Sequence, residues 1–162
     1  MDLPPHVPEE ARQLFHRAYQ AQMDGQLDEA ADLYRQSIAV RPTSEAHTFL
    51  GWAYSMQGRW DEAIAECHRA IAVDPEFGNP YNDIGAYLIE LGRLDEAIEW
   101  LERAKHAVRY EPRHYPHINL SHIHVMRHDI PAAARELQAA ITIEPTHTAA
   151  RRELHRLLGI LN

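Results

Sequence analysis

Between Ser44 and Pro75 the chain reads SEAHTFLGWAYSMQGRWDEAIAECHRAIAVDP, and its apolar positions recur three and four residues apart. Ala46, Leu50, Ala53 and Tyr54 fall on one stripe, and Trp60, Ala63, Ile64, Cys67 and Ile71 on a second, with Gly58 between them. This spacing predicts two amphipathic helices joined by a tight turn. Neither stripe is buried by its own helix, so the pair predicts a hairpin that packs against neighbours. Small residues, Gly51 with Ala63 and Ala70, allow the two backbones to approach closely, and the large side chains of Tyr54 and Trp60 fill the adjoining space.

The same pattern recurs along the chain. Residues 11–43 carry Ala18 at the position of Gly51, then Gly25, Ala30, Tyr34 and Pro42. After 44–77, residues 78–113 show Tyr81, Ile84, Gly85, Gly92, Ala97, Leu101 and Ala104. Residues 114–145 keep Leu120, Ala133, Leu137, Ala140 and Pro145, but place Ser121 where glycine stood, His124 where Tyr54 stood and His128 where Gly58 stood. Gly25, Gly58 and Gly92 are expected to close each first helix in a left-handed cap, and Pro42, Pro75, Pro112 and Pro145 to end each second helix. Asp28 with Glu29, Asp61 with Glu62 and Asp95 with Glu96 complement the dipole at the start of the second helices. The interval from Ala97 to Pro112 is three residues longer than its counterparts, which predicts a second helix in the third hairpin extended by almost a turn. In 146–162, Ala150, Leu154, Leu157, Leu158 and Leu161 share one face and Arg151, Arg152, Glu153 and Arg156 the other, as in a capping helix.

Leu50-Gly51, Tyr54, Ala63, Ala70 and Pro75, at these offsets and repeated in phase, resemble the tetratricopeptide repeat (TPR). The resemblance implies an all-α, right-handed α-solenoid of four helical hairpins plus a C-terminal cap helix, forming a single domain over 1–162. It also implies that the first helices line a concave wall, which in the family commonly grips an extended peptide. Carried onto this chain, that groove comprises Phe15, Tyr19, Thr48, Trp52, Asn79, Asn82, Tyr115, Ile118 and His122, with Glu45 and Ala86 beside them. The expected groove is aromatic and neutral-polar. The competing reading is that Phe15 and Tyr19 are covered by the N-terminal segment MDLPPHVP, or that Trp52 fills the superhelix as core. Some TPR proteins hold acidic chaperone tails in a clamp of Lys, Arg and Asn, which this chain does not match, since Lys105 is its only lysine. Asn79, Asn82 and Asn119 are placed to bond a peptide backbone or, equally, to face solvent.

Composition narrows the function further. A formal net charge of −8 argues against nucleic acid and anionic membrane as partners. Apolar runs are only a few residues long, and MDLPPHVPEEA lacks the basic and apolar regions of a secretory signal, so a soluble, cytoplasmic protein is expected. One cysteine, Cys67, allows no internal disulfide and no thiolate zinc site. His114, His117, His122, His124 and His128 fall in one predicted helix, with His124 and His128 spaced as helical metal ligands often are. Repeat phase points instead to packing or pH-sensitive roles, because His117 aligns with His47 and Tyr81, and His124 with Tyr54. No phosphate-cradling loop, nucleophile elbow or carboxylate pair is present, so neither enzyme activity nor a cofactor is expected. The expected function is an interaction scaffold for a protein or peptide. A histidine-rich metal-binding protein and a self-assembly module are the alternatives.

Overall fold

The computed structural model describes residues 3–161, with side chains to Ile160. It contains α1 (Glu9–Met23), α2 (Leu27–Val40), α3 (Ser44–Met56), α4 (Trp60–Val73), α5 (Asn79–Glu90), α6 (Leu94–Lys105), α7 (His114–Met126), α8 (Ile130–Ile143) and α9 (Thr148–Leu161). Consecutive helices pair as hairpins, α1 with α2 through α7 with α8, and each second helix packs on the next first helix. First helices also pack on one another, α1 on α3, α3 on α5 and α5 on α7. Second helices meet at points such as His68 on α4 against Trp100 on α6, with ring centroids 5.1 Å apart. The first helices therefore form the inner wall of an all-α repeat solenoid.

Local chemistry accounts for the boundaries. Thr43 accepts the amide of Ala46 at the start of α3, at 3.1 Å, and Asp129 accepts that of Ala132 at the start of α8, at 3.0 Å, satisfying amides the helix leaves without partners. Gly25, Gly58 and Gly92 close the first helices with φ of 79°, 73° and 73°, and in the fourth hairpin His128 takes the same conformation at φ 59°. Each second helix except α8 opens on the expected pair of acids, Asp28 and Glu29, Asp61 and Glu62, Asp95 and Glu96. Within hairpins the glycines mark close approach: a Cβ at Gly51 would stand 2.9 Å from the Ala63 carbonyl oxygen, and one at Gly85 2.5 Å from Leu101 Cγ.

The third hairpin departs from expectation. Its second helix is not lengthened; α6 spans 12 residues where α2 and α4 span 14. The additional residues form a loop in which Arg109 pairs with Phe77 in an isolated parallel bridge. The Arg109 amide donates to the Glu76 carbonyl at 2.9 Å, and the Gly78 amide to the Arg109 carbonyl at 2.9 Å. Arg113 binds the carbonyls of Lys105, Ala107 and Val108 at 3.2, 2.8 and 3.1 Å. Side chains and a neighbouring backbone thus satisfy the groups that another helical turn would have paired. Pro112 consequently stands well past α6 and does not end it, whereas Pro42, Pro75 and Pro145 each follow two residues after their helix.

At the C-terminus, Ala150, Leu154 and Leu157 of α9 join a core with Ala133 and Leu137 of α8. Leu158 does not take part as expected, since it is 44% exposed. The Leu161 side chain lies outside the described residues. Arg151, Arg152 and Arg156 face solvent. No helix among the described residues is long and apolar enough to cross a membrane.

Candidate functional site

Phe49 of α3 is the centre of the inner wall. Its ring meets those of Phe15, Tyr19, Tyr34 and Trp52 at centroid separations of 5.2, 5.8, 6.1 and 5.7 Å. Tyr19 and Trp52 flank it and stay open to solvent, at 37% and 36% exposure, so the core cluster surfaces as a short aromatic ledge. Beside this ledge a cavity of about 360 Å³ opens between α3 and α5, lined by Thr48, Phe49, Trp52 and Ser55 on one side and Asn79, Asp83 and Tyr87 on the other. Asp83 is its ionisable carboxyl. Burial pushes that carboxyl up to about 7, against the weak opposing effect of the Asn82 amide, which donates to Oδ1 at 3.4 Å. No basic side chain lines the cavity.

Several expected groove residues serve elsewhere. Phe15 is fully buried and packs at 5.5 Å on Tyr34, so it is core and not wall. Leu3 and Val7 are buried in the same core, in keeping with cover from the N-terminal segment. Thr48 lines the cavity, but its hydroxyl donates to the Ser44 carbonyl at 2.7 Å. Asn82 is buried and accepts from Asn119 Nδ2 at 3.0 Å, which commits these two amides largely to one another. Glu45 is buried beneath Arg109, which binds it at 3.1 Å and Asp74 at 2.5 Å. Ile118 and His122 line a different cavity, of about 380 Å³, with Leu137 and residues of the cap including Arg152 and Glu153. Tyr115 stacks on His114 at 4.3 Å and is exposed. The expected wall is thus divided, and Tyr19, Thr48, Trp52 and Asn79 remain around one cavity and its ledge.

Phe49, Ser55, Asp83 and Tyr87 were not among the expected residues. Phe49 and Asp83 each stand two residues before the hairpin glycine, Gly51 and Gly85, as Asn119 stands before Ser121. That shared offset was the available signal. The neutral groove expected from the sequence is corrected by Asp83.

Two of the histidines, His47 and His117, are tied to carboxylates from the facing helix. His47 Nδ1 lies 2.7 Å from Glu66 Oε2, and His117 Nδ1 2.6 Å from Glu136 Oε2, the same pair repeated two hairpins apart. Burial acts to raise the carboxyl of Glu136, but the His117 bond and the charge of Lys105 hold it below the usual carboxylate range. His114 is shifted down, first by burial and then by neighbouring His147, whose ring centroid is 5.2 Å away. Among the described residues no group of three or more His, Cys, Asp or Glu side chains is arranged to hold a metal ion.

Stacked helical hairpins with small residues at each crossing and an open inner wall define an α-solenoid repeat protein. Two tetratricopeptide-repeat family models match, over residues 21–76 and 56–115, and the chain belongs to that family. It is 34% identical over 71 residues to small glutamine-rich tetratricopeptide repeat-containing protein 2 of Mycosarcoma maydis, a match covering 43% of this chain. The chain spans only 20% of that relative's length. Its fold is similar to that of pilF of Pseudomonas aeruginosa, with a TM-score of 0.84 at 20% identity over 93% of this chain and 68% of the other. It also resembles the second TPR of Spaghetti (RPAP3), solved bound to the HSP90 peptide SRMEEVD, with a TM-score of 0.58 at 22% identity over 61% of this chain and 93% of the other.

Proposed function

We propose that the chain is a non-catalytic interaction scaffold that holds an extended segment of a partner protein against the inner wall of α3 and α5. The observation that carries this reading is the aromatic ledge of Tyr19, Phe49 and Trp52 beside a cavity of about 360 Å³. A half-exposed tryptophan backed by a packed ring is already held in place, so a ligand gains its contact area without ordering it. The TPR of Spaghetti, bound to a peptide, supports peptide capture by this fold. Its acidic peptide is a poor guide to chemistry here, because the cavity offers Asp83 and no cation.

Partner recovery from source-cell extract, compared between the wild type and Trp52→Ala, tests the reading. Truncating an aromatic anchor costs about 2 kcal/mol or more, roughly a 30-fold loss of affinity, while the helical circular dichroism should be retained. Trp100→Ala is the control. Trp100 packs between His68 and Tyr81, with centroids 5.1 and 5.8 Å away, and under Arg103, so its loss should lower stability and spare binding. Equal recovery by wild type and Trp52→Ala would overturn the proposal.

A further inference from the structure

We infer that the cavity between α3 and α5 receives a lysine or arginine side chain of the bound segment, with Asp83 as its carboxylate partner and Trp52 and Phe49 as its aromatic walls. This rests on the groove reading above and names the chemistry the groove selects. The cavity combines three features that suit a long cationic side chain: a volume of about 360 Å³, ring surfaces for an apolar stem, and a single carboxylate. Ring faces attract cations as well as methylenes. Among the described residues the side-chain donor to Asp83 is the amide of Asn82 at 3.4 Å, and an amide neutralises no charge. A half-buried carboxylate that has lost part of its hydration and faces no cation is costly, and an incoming ammonium or guanidinium offsets that cost. The chain's net charge of −8 favours approach of a basic segment.

The competing chemistry is a protonated Asp83 that donates its hydrogen to a peptide carbonyl. The two differ in sign with pH. Around Asp83, α3 presents Thr48, Phe49, Trp52 and Ser55, which carry no charge, and α5 adds Asn82 and Tyr87. Asn119 of α7 reaches Asn82. Cys67 of α4, Tyr87, and Tyr110 of the loop after α6 feel the carboxylate. Each is pushed up, first by burial and then by Asp83 itself, so none of them ionises between pH 5 and 8. Binding through a cation should therefore tighten as pH rises through about 7, and binding through a carboxylic acid should weaken.

The probe is a random nonapeptide display library selected on the full chain, with histidine-free binders then measured by calorimetry. Selection should enrich lysine or arginine at one position. Replacing that residue by norleucine should weaken binding to the wild type about tenfold or more, and change little for Asp83→Asn. Affinity for the wild type should be greater at pH 8 than at pH 6, a difference absent in Asp83→Asn. Binders that depend on Trp52 but require no basic residue, or that bind more tightly at pH 6, would overturn the cation and leave the groove standing. Binders indifferent to both Trp52→Ala and Asp83→Asn would overturn the groove reading together with the inference.

Discussion

Asp83→Asn should stabilise the unliganded protein at alkaline pH and have little effect in acid. The side chain is isosteric, so the difference between the variants reports the charge. Asp83 has a folded value of about 7 against an ordinary 3.8. For a group whose folded value is raised, its stability contribution is complete below the unfolded value and is lost as pH climbs through the folded one. The window is thus about pH 4 to 7. With each pH unit worth about 1.4 kcal/mol, the three-unit gap sets a ceiling of roughly 4 kcal/mol at pH 8. The cavity opens to water, which relaxes part of that penalty, so an effect of about 2 kcal/mol is the expected size. For a chain of this length that corresponds to a melting temperature higher by about 4–8 °C. Calorimetric scans of both proteins at pH 8 and pH 5 measure it, and subtracting one protein from the other removes groups they share, such as His114. A gap between variants that is equal at the two pH values, or a less stable Asn variant at pH 8, would refute the argument from a desolvated carboxylate.

Other consequences concern the fourth hairpin and its cap. His128→Gly should raise stability by about 0.5–1 kcal/mol, because His128 holds φ 59° where a Cβ is strained and glycine is not; a lower melting temperature would contradict this. Leu157→Ala, at a fully buried position between α9 and α8, should cost about 2–5 kcal/mol by chemical denaturation. Leu158→Ala, at the exposed position beside it, should change stability by no more than about 0.5 kcal/mol. Equal effects of these two substitutions would show that α9 does not cap the core as described.

The helices, caps and crossings were legible because each depends on local spacing, and a period repeated in phase carries that spacing through the chain. The fourth copy illustrates the strength of phase: His128 stands where Gly58 stood and has the wrong side chain for a left-handed cap, yet its φ is 59°. The site was less legible. Asp83 in the run YNDIG reads as an ordinary surface acid, since charged side chains are seldom buried. Only the packing of α5 on α3 places it in a cavity. Phe15 misled in the opposite sense, because the equivalent position in another repeat lines the wall while here an N-terminal segment supplies extra core. The His–Glu pairs needed two helices in register, which no single-helix spacing displays.

The longer interval after Ala97 was misread for a related reason. Three additional residues nearly complete a helical turn, but length alone does not decide between helix and loop. Val108 and Tyr110, on either side of Arg109, favour extended backbone, and a partner lies opposite at Phe77 and Gly78. Gly78 is what lets the loop dock. A Cβ there would stand 2.4 Å from Tyr110 Cβ and 2.8 Å from Ala107 Cβ, and Tyr110 is buried in a cluster with Tyr81 and Ala104. Gly78→Ala must therefore displace Tyr110 and break the bridge between Phe77 and Arg109, freeing Arg109 from Glu45 as well. Overpacking of this kind costs about 1–3 kcal/mol. Hydrogen exchange should show the loss locally, as faster exchange of the amides at positions 78 and 109 with little change in α1 and α2. If those amides keep their protection and the melting temperature is unchanged, Gly78 is not the contact that holds the loop in place.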